Sequence, residues 1–168
     1  MEEGIKNKIT EAGLITIDLL DFLSNKKKVG IDLRDWLIDD LIIKEIDFKE
    51  KLKKLNVGGF KNCNVFIYCS KDVIIPTWAF LLIQAKINTV ASYVFFGGER
   101  SLNLMLFEKS IQKIDTSKYV NKRVFIKGCG DKKIPIGAFS IICQKLMPIV
   151  KSLFYGEACS NVPLIKNP

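Results

Sequence analysis

The chain has 168 residues, 48% of them hydrophobic and 26% charged, the proportions of one ordinary globular domain and not of a disordered or fibrous chain. Its formal charge of +8 rests on scattered lysines, with arginine only at positions 34, 100 and 123, which argues against a phosphate-reading surface built on clustered Arg forks. Histidine is absent, and with it go Cys–His and Ser–His–Asp catalysis and every His-ligated metal site.

The acidic start Met1-Glu2-Glu3-Gly4 lacks an apolar stretch ahead of a small-residue cleavage site, and no apolar run approaches the ~20 residues of a membrane span. A cytoplasmic protein is expected, with one α/β domain over 1–168. Residues 1–12 read as an arm or short helix. Leu14–Leu19 partly alternates like a strand, Ser24–Lys28 supplies turn residues, and Val29–Leu33 can return as the second strand of an antiparallel hairpin, with Leu41–Ile46 as a third. Asp47 and Glu50 have capping-box spacing, so Phe48–Leu55 should be a short helix closed by Asn56 and Gly58-Gly59.

From Asn64 onward the pattern is three βα units. Val65–Cys69, Tyr93–Phe96 and Val124–Lys127 are β-branched and aromatic runs, followed by helical patterns over Pro76–Ile87, Ser101–Ile114 and Pro135–Tyr155, the last split or kinked at Pro148. Strands alternating with helices predict a mainly parallel sheet flanked by helices, extended by the N-terminal antiparallel strands.

Two of these units resemble each other. Val65-Phe66-Ile67, Cys69, Asp72 and Ile75-Pro76-Thr77-Trp78-Ala79-Phe80 recur, with one-residue gaps, as Val124-Phe125-Ile126, Cys129, Asp131 and Ile134-Pro135-Ile136-Gly137-Ala138-Phe139. Proline is favoured at the first turn of a helix, whose free N–H groups and dipole suit negative charge, including a thiolate. Ligands of open α/β sheets bind beyond the carboxyl ends of the strands. If the strand of Tyr93 lies outside, the strands of Cys69 and Cys129 become neighbours and their thiols share one crevice. Gly97, Gly98, Gly128 and Gly130 would let backbone approach a ligand closely. Against this, a cysteine ending a core strand is often a small hydrophobe, and Asp72 and Asp131 suit turns as well as acid/base work. Cys143 reads as packing on the last helix and Cys63 as surface or turn, while Trp78, Phe80 and Phe139 read as core. Cys159 lies in the tail 156–168. A helix over 135–155 would be about 30 Å long and would carry that loop away from the other thiols, unless a break at Pro148 folds the tail back or a second subunit supplies Cys159.

The segments Ile67-Tyr68-Cys69-Ser70, Ile75-Pro76-Thr77-Trp78-Ala79, Ile126-Lys127-Gly128-Cys129-Gly130-Asp131 and Tyr155-Gly156-Glu157-Ala158-Cys159-Ser160-Asn161-Val162-Pro163, with the N-terminal Gly13–Leu19 and Asp32–Leu37, resemble the signature blocks of a bacterial family, the Bacteroidetes domain of unknown function 2480. Cys69, Cys129 and Cys159 match its motif positions; Cys63 and Cys143 do not, and Ala158 stands where the family pattern has proline. No activity comes with the resemblance. It implies a place near iron–sulfur cluster assembly, because the family's genes tend to lie beside genes of that pathway. The expectation is an accessory factor of iron–sulfur or sulfur metabolism holding a metal, cluster or persulfide on Cys69, Cys129 and Cys159, with an iron–sulfur cluster or zinc as cofactor and iron–sulfur assembly proteins or a second copy as partners. Two alternatives stay open: a non-catalytic binding or scaffold module, and a cysteine enzyme acting on a small anionic substrate, with Cys69 or Cys129 as nucleophile and Asp72 or Asp131 as acid/base.

Overall fold

The computed structural model describes residues 9–10, 14–128 and 134–168, with the side chains of 9 and 10 left aside. The chain is an α/β protein in two compact units, one formed by residues 1–24 and 103–168 and the other by residues 25–102. Its strands are β1 (Ile9–Thr10), β2 (Leu14–Asp18), β3 (Lys28–Asp32), β4 (Asn64–Tyr68), β5 (Tyr93–Phe96), β6 (Arg123–Lys127), β7 (Ser152–Glu157) and β8 (Ser160–Lys166). Its helices are α1 (Glu45–Lys54), α2 (Thr77–Ile87), α3 (Glu99–Gln112) and α4 (Ile136–Leu146). Among the described residues no helix is long and apolar enough to cross a membrane.

The inserted unit, 25–102, has a three-stranded sheet in the order β3-β4-β5, parallel throughout. Two crossovers in the same direction put α1 and α2 on one face when both are right-handed. The core agrees: Val65 and Ile67 of β4 and Ile31 of β3 are buried with Phe48 of α1 and Ala79, Ile83 and Ile87 of α2. Strand alternation turns Phe66 and Tyr68 to the other face, where their rings stack at 5.5 Å. Gly30 lies against that pair; a Cβ there would come within 2.7 Å of the Phe66 ring.

The other unit repeats this plan. Its sheet has the order β1-β2-β6-β7-β8, with β2, β6 and β7 parallel and antiparallel strands β1 and β8 closing the two edges. Phe107 and Ile111 of α3 and Ala138, Ile142 and Leu146 of α4 are buried over Ile15, Ile17, Val124, Ile126 and Leu153.

The correspondence is gapless. A shift of 59 residues carries β4 onto β6 and β5 onto β7, with Asn64↔Tyr93 becoming Arg123↔Ser152 in register. The same shift carries the buried Phe48 onto Phe107, Asn56 onto Asp115, and the single turn of helix Val57–Phe60 onto Thr116–Tyr119. The first strands are related by 14 residues. β2 ends in Ile17-Asp18-Leu19 and β3 in Ile31-Asp32-Leu33, and each Asp caps a 3₁₀ turn by accepting, at 2.9 Å, the backbone N–H two residues on, from Leu20 and Arg34. The chain thus contains a duplicated β-α-β-α-β unit, one copy inserted after the first strand of the other.

Four local expectations are corrected. β2 and β3 do not form a hairpin; each lies parallel to a later strand, because their turn-like linker joins two units and not two neighbours. Leu41–Ile46 is not a strand: its first residues close a tight turn, and α1 begins at Glu45 with Lys44 as the flanking residue, so Asp47 and Glu50 do not cap it. The last helix stops at Leu146, just before Pro148, and Ser152–Glu157 is β7. Lastly, β4 and β6 belong to different sheets, so the strands carrying Cys69 and Cys129 are not neighbours.

Candidate functional site

Both units present polar and sulfur-bearing side chains at the carboxyl ends of their parallel strands, the end at which open α/β sheets bind ligands. In the inserted unit β4 leads directly into Cys69, which is half-buried and packs against the unit's core. Ser70 follows, and its backbone N–H is held 3.0 Å from Oδ1 of Asp32, the oxygen that also accepts the Arg34 N–H. Burial pushes the Asp32 carboxyl up, but the Ser70 hydroxyl, the two backbone N–H groups and the Arg34 charge together outweigh it and hold the carboxyl below its ordinary value of 3.8. Asp32 is therefore a committed anion whose acceptor capacity goes into fixing the Cys69-Ser70 turn. Asp72 is exposed and does not cap α2, whose flanking residue is Pro76.

In the other unit the corresponding strand ends carry Asp18, Lys127 and Glu157. Lys127 Nζ lies 3.0 Å from Glu157 Oε1 and 3.9 Å from Asp18 Oδ2. Asp21, three residues past Asp18, has its carboxyl pushed up by burial first and by the Asp18 charge second. Beyond Glu157 the chain makes a two-residue hairpin, Ala158-Cys159, into β8. The exposed Cys159 thus sits two residues from a carboxylate that meets the end of β6. The long helix expected over 135–155 is absent: α4 is short and β7 runs parallel to β6, so the Cys159 hairpin lies at the end of this sheet where β6 also ends.

Cys129, Gly130 and Asp131 lie outside the described residues. The repeat nevertheless corrects their alignment. From Tyr68 to Pro76 and from Lys127 to Pro135 the chain has the same length, so Cys69 corresponds to Gly128, Ser70 to Cys129 and Asp72 to Asp131. The cysteines are one place out of step, and the aspartates match. Of the glycines, Gly97 and Gly128 both have φ of +134°, and a Cβ on Gly128 would meet Ile134 Cδ1 at 2.8 Å, so backbone conformation and packing account for it. Gly98 faces open space.

The remaining cysteines are structural. Cys143 packs against the core of its unit, and burial pushes its thiol above the ordinary 9.0. Cys63 is buried at 5% exposure, not on the surface, with its Sγ donating to the Lys61 carbonyl at 3.4 Å. Trp78, Phe80 and Phe139 all pack against the cores, as expected. Asp32, Ser70, Lys127 and Glu157 escape the reading of motifs by cysteine. The signal for Asp32 was present in the recurrence of Ile-Asp-Leu-x-Asp at 17–21 and 31–35.

Among the described residues no three His, Cys, Asp or Glu side chains gather into a metal-binding set. An open groove of about 490 Å³, lined by Asn121, Met147, Pro148, Ile149, Val150, Ile165, Asn167 and Pro168, holds no titratable side chain. Comparison with curated proteins gave no match, and comparison with solved structures gave none. The sequence model of the family described as "Protein of unknown function (DUF2480)" matches residues 3–167, and the chain belongs to that family.

Proposed function

We propose that the protein is an accessory factor of sulfur or iron–sulfur metabolism that carries sulfur, or a soft metal, on cysteine thiolates. The supporting observation is that each unit places a cysteine at the carboxyl end of its parallel strands: Cys69 directly after β4, on a turn pinned by Asp32, and Cys159 at the hairpin tip beside the Lys127–Glu157 pair. A cluster needs about four soft donors, whereas carriage of a sulfane sulfur needs one accessible thiolate. The described residues therefore favour sulfur carriage, with Cys129, two residues beyond Lys127, as a further candidate from the sequence. In that reaction the thiolate attacks the outer sulfur of a donor persulfide, forms a Cys–S–SH and releases the donor's thiolate.

The test is anaerobic purification followed by incubation with a small-molecule persulfide donor and, separately, with ferrous iron and sulfide. Intact-mass analysis should show one or two 32 Da adducts on the wild type, lost stepwise in Cys69→Ser and Cys159→Ser. A protein that acquires neither sulfur nor metal, or that acquires them equally in the variant lacking both cysteines, overturns the reading.

A further inference from the structure

The two copies of the duplicated unit differ at their edges. In one, antiparallel strands β1 and β8 pair with the outer edges of β2 and β7. In the other, the corresponding strands β3 and β5 have no such partner among the described residues, because after Phe96 the chain turns into α3 where the first copy turns into β8.

The groups on the β5 edge are fixed by its ladder with β4. Gly97 donates its N–H to the Ile67 carbonyl at 2.9 Å, and Phe95 is the register partner of Phe66. Backbone groups alternate in direction along a strand, so the N–H and C=O of Val94 and Phe96 point away from β4, and among the described residues no backbone group pairs with them. Phe96 is 38% exposed. The other edge strand, β3, carries charges at Lys28 and Asp32 and an exposed Gly30 between them, features that discourage pairing. β5 is Tyr93-Val94-Phe95-Phe96, with no charge and no proline.

The occupant follows from that strand. β8 shows that the equivalent edge takes an antiparallel strand, and antiparallel pairing of a strand with its own copy is what a two-fold axis generates. With the axis at Phe95, Val94 exchanges N–H···O bonds with the partner's Phe96, and Phe96 with the partner's Val94. Phe95 then faces its own copy in the closer, non-hydrogen-bonded pair, with Cα atoms about 4.5 Å apart. Every outward backbone group of Val94 and Phe96 is satisfied, and two aromatic rings pair across the axis. We infer that a second copy of this chain docks on β5, joining two three-stranded sheets into one of six strands. The contact is isologous and uses both β5 edges, so assembly closes at the dimer.

Sedimentation velocity and amide exchange on the full-length protein test this. A concentration-dependent dimer of the 19.0 kDa chain is expected, with the Val94 and Phe96 amides exchanging several-fold more slowly at high protein concentration than at low. Val94→Pro removes an outward donor but none of the β4–β5 bonds, so it should weaken the dimer about tenfold or more with an unchanged circular dichroism spectrum. Phe95 shares the face of Phe66, outside the core of its unit. Phe95→Lys and Phe95→Glu each set like charges across the axis and should each be monomeric, whereas their equimolar mixture should recover the dimer. That recovery would also show that both variants fold. A protein monomeric at every concentration, wild-type dimer affinity in either Val94→Pro or Phe95→Lys, or a mixture that stays monomeric overturns the inference. None of these measurements involves a thiol, so they succeed or fail separately from sulfur loading on Cys69 or Cys159.

Discussion

Asn62 and Asn121, 59 residues apart, hold the same left-handed turn: their φ angles are +59° and +55°, and each donates its backbone N–H at 2.9 Å to the carbonyl 28 residues later, of Val90 and of Ile149. Each turn delivers the chain into the central strand of its unit. Asn tolerates this backbone better than any other side-chain-bearing residue, because its short amide can bond locally.

Replacing either asparagine by alanine should cost about 1 kcal/mol, and replacement by glycine should be neutral or slightly stabilising. The two changes lie in separate units, so their effects should add in urea unfolding. A marked excess in the double variant over the sum would show that the turns are not independent copies.

The alternation of strand and helix after Asn64 was legible because β4, β5 and β6 are short β-branched and aromatic runs bounded by turn residues. The division into units was not, because Ile15 and Ile17 look the same whether β2 pairs with β3, the next strand in sequence, or, as it does, with β6, more than 100 residues later. Val150–Tyr155 read as helix because its apolar spacing fits both periods and only Pro148 speaks against continuation. The site was half legible. Cys69 is found by motif, whereas Asp32 acts through a contact 38 residues away that no local pattern shows.

Asp32 should make stability depend on acid pH. Its carboxyl is held below 3.8 in the folded state, so the stabilisation is present above the unfolded value of about 4 and is lost as pH falls through the folded value. Asp32→Asn keeps an acceptor for the turn but removes the charge. It should flatten the decline of stability below about pH 4, and Asp32→Ala should in addition cost about 1 kcal/mol at neutral pH through loss of the cap. Equilibrium urea melts at pH 7, 4 and 3 decide it; an undiminished acid slope in Asp32→Asn would sink the assignment.

Cys143 has the opposite sign. Burial raises its thiol above 9.0, so the stabilisation is complete below that value and is lost as pH rises through about 9, when the unfolded chain ionises more readily. Cys143→Ala should remove that alkaline decline and cost about 1 kcal/mol in packing at pH 7. Alkylation followed by mass spectrometry at neutral pH should label the exposed Cys159 well before Cys143 or the buried Cys63. Labelling of Cys143 first would contradict its place against the core.

Gly156 and its counterpart Gly97 offer a sharper comparison, because both have positive φ, +110° and +134°, but different neighbours. A Cβ on Gly156 would fall 2.5 Å from the Ser160 carbonyl oxygen and 3.3 Å from Asn161 Cα, backbone atoms that paired strands β7 and β8 hold in place. A Cβ on Gly97 would meet only the edge of the Phe95 ring at 2.8 Å, and a side chain can turn aside. Both alanine variants incur the backbone penalty, but only Gly156→Ala also drives the hairpin strands apart. Its cost should be about 3 kcal/mol, against about 1–2 kcal/mol for Gly97→Ala. In hydrogen exchange, Gly156→Ala should strip protection from residues 152–166 while leaving β4 and β5 protected, and the Cys159 loop should become mobile with its hairpin. Equal destabilisation by the two variants, or protection of β8 retained in Gly156→Ala, would mean that β8 is not held through the close approach at Gly156.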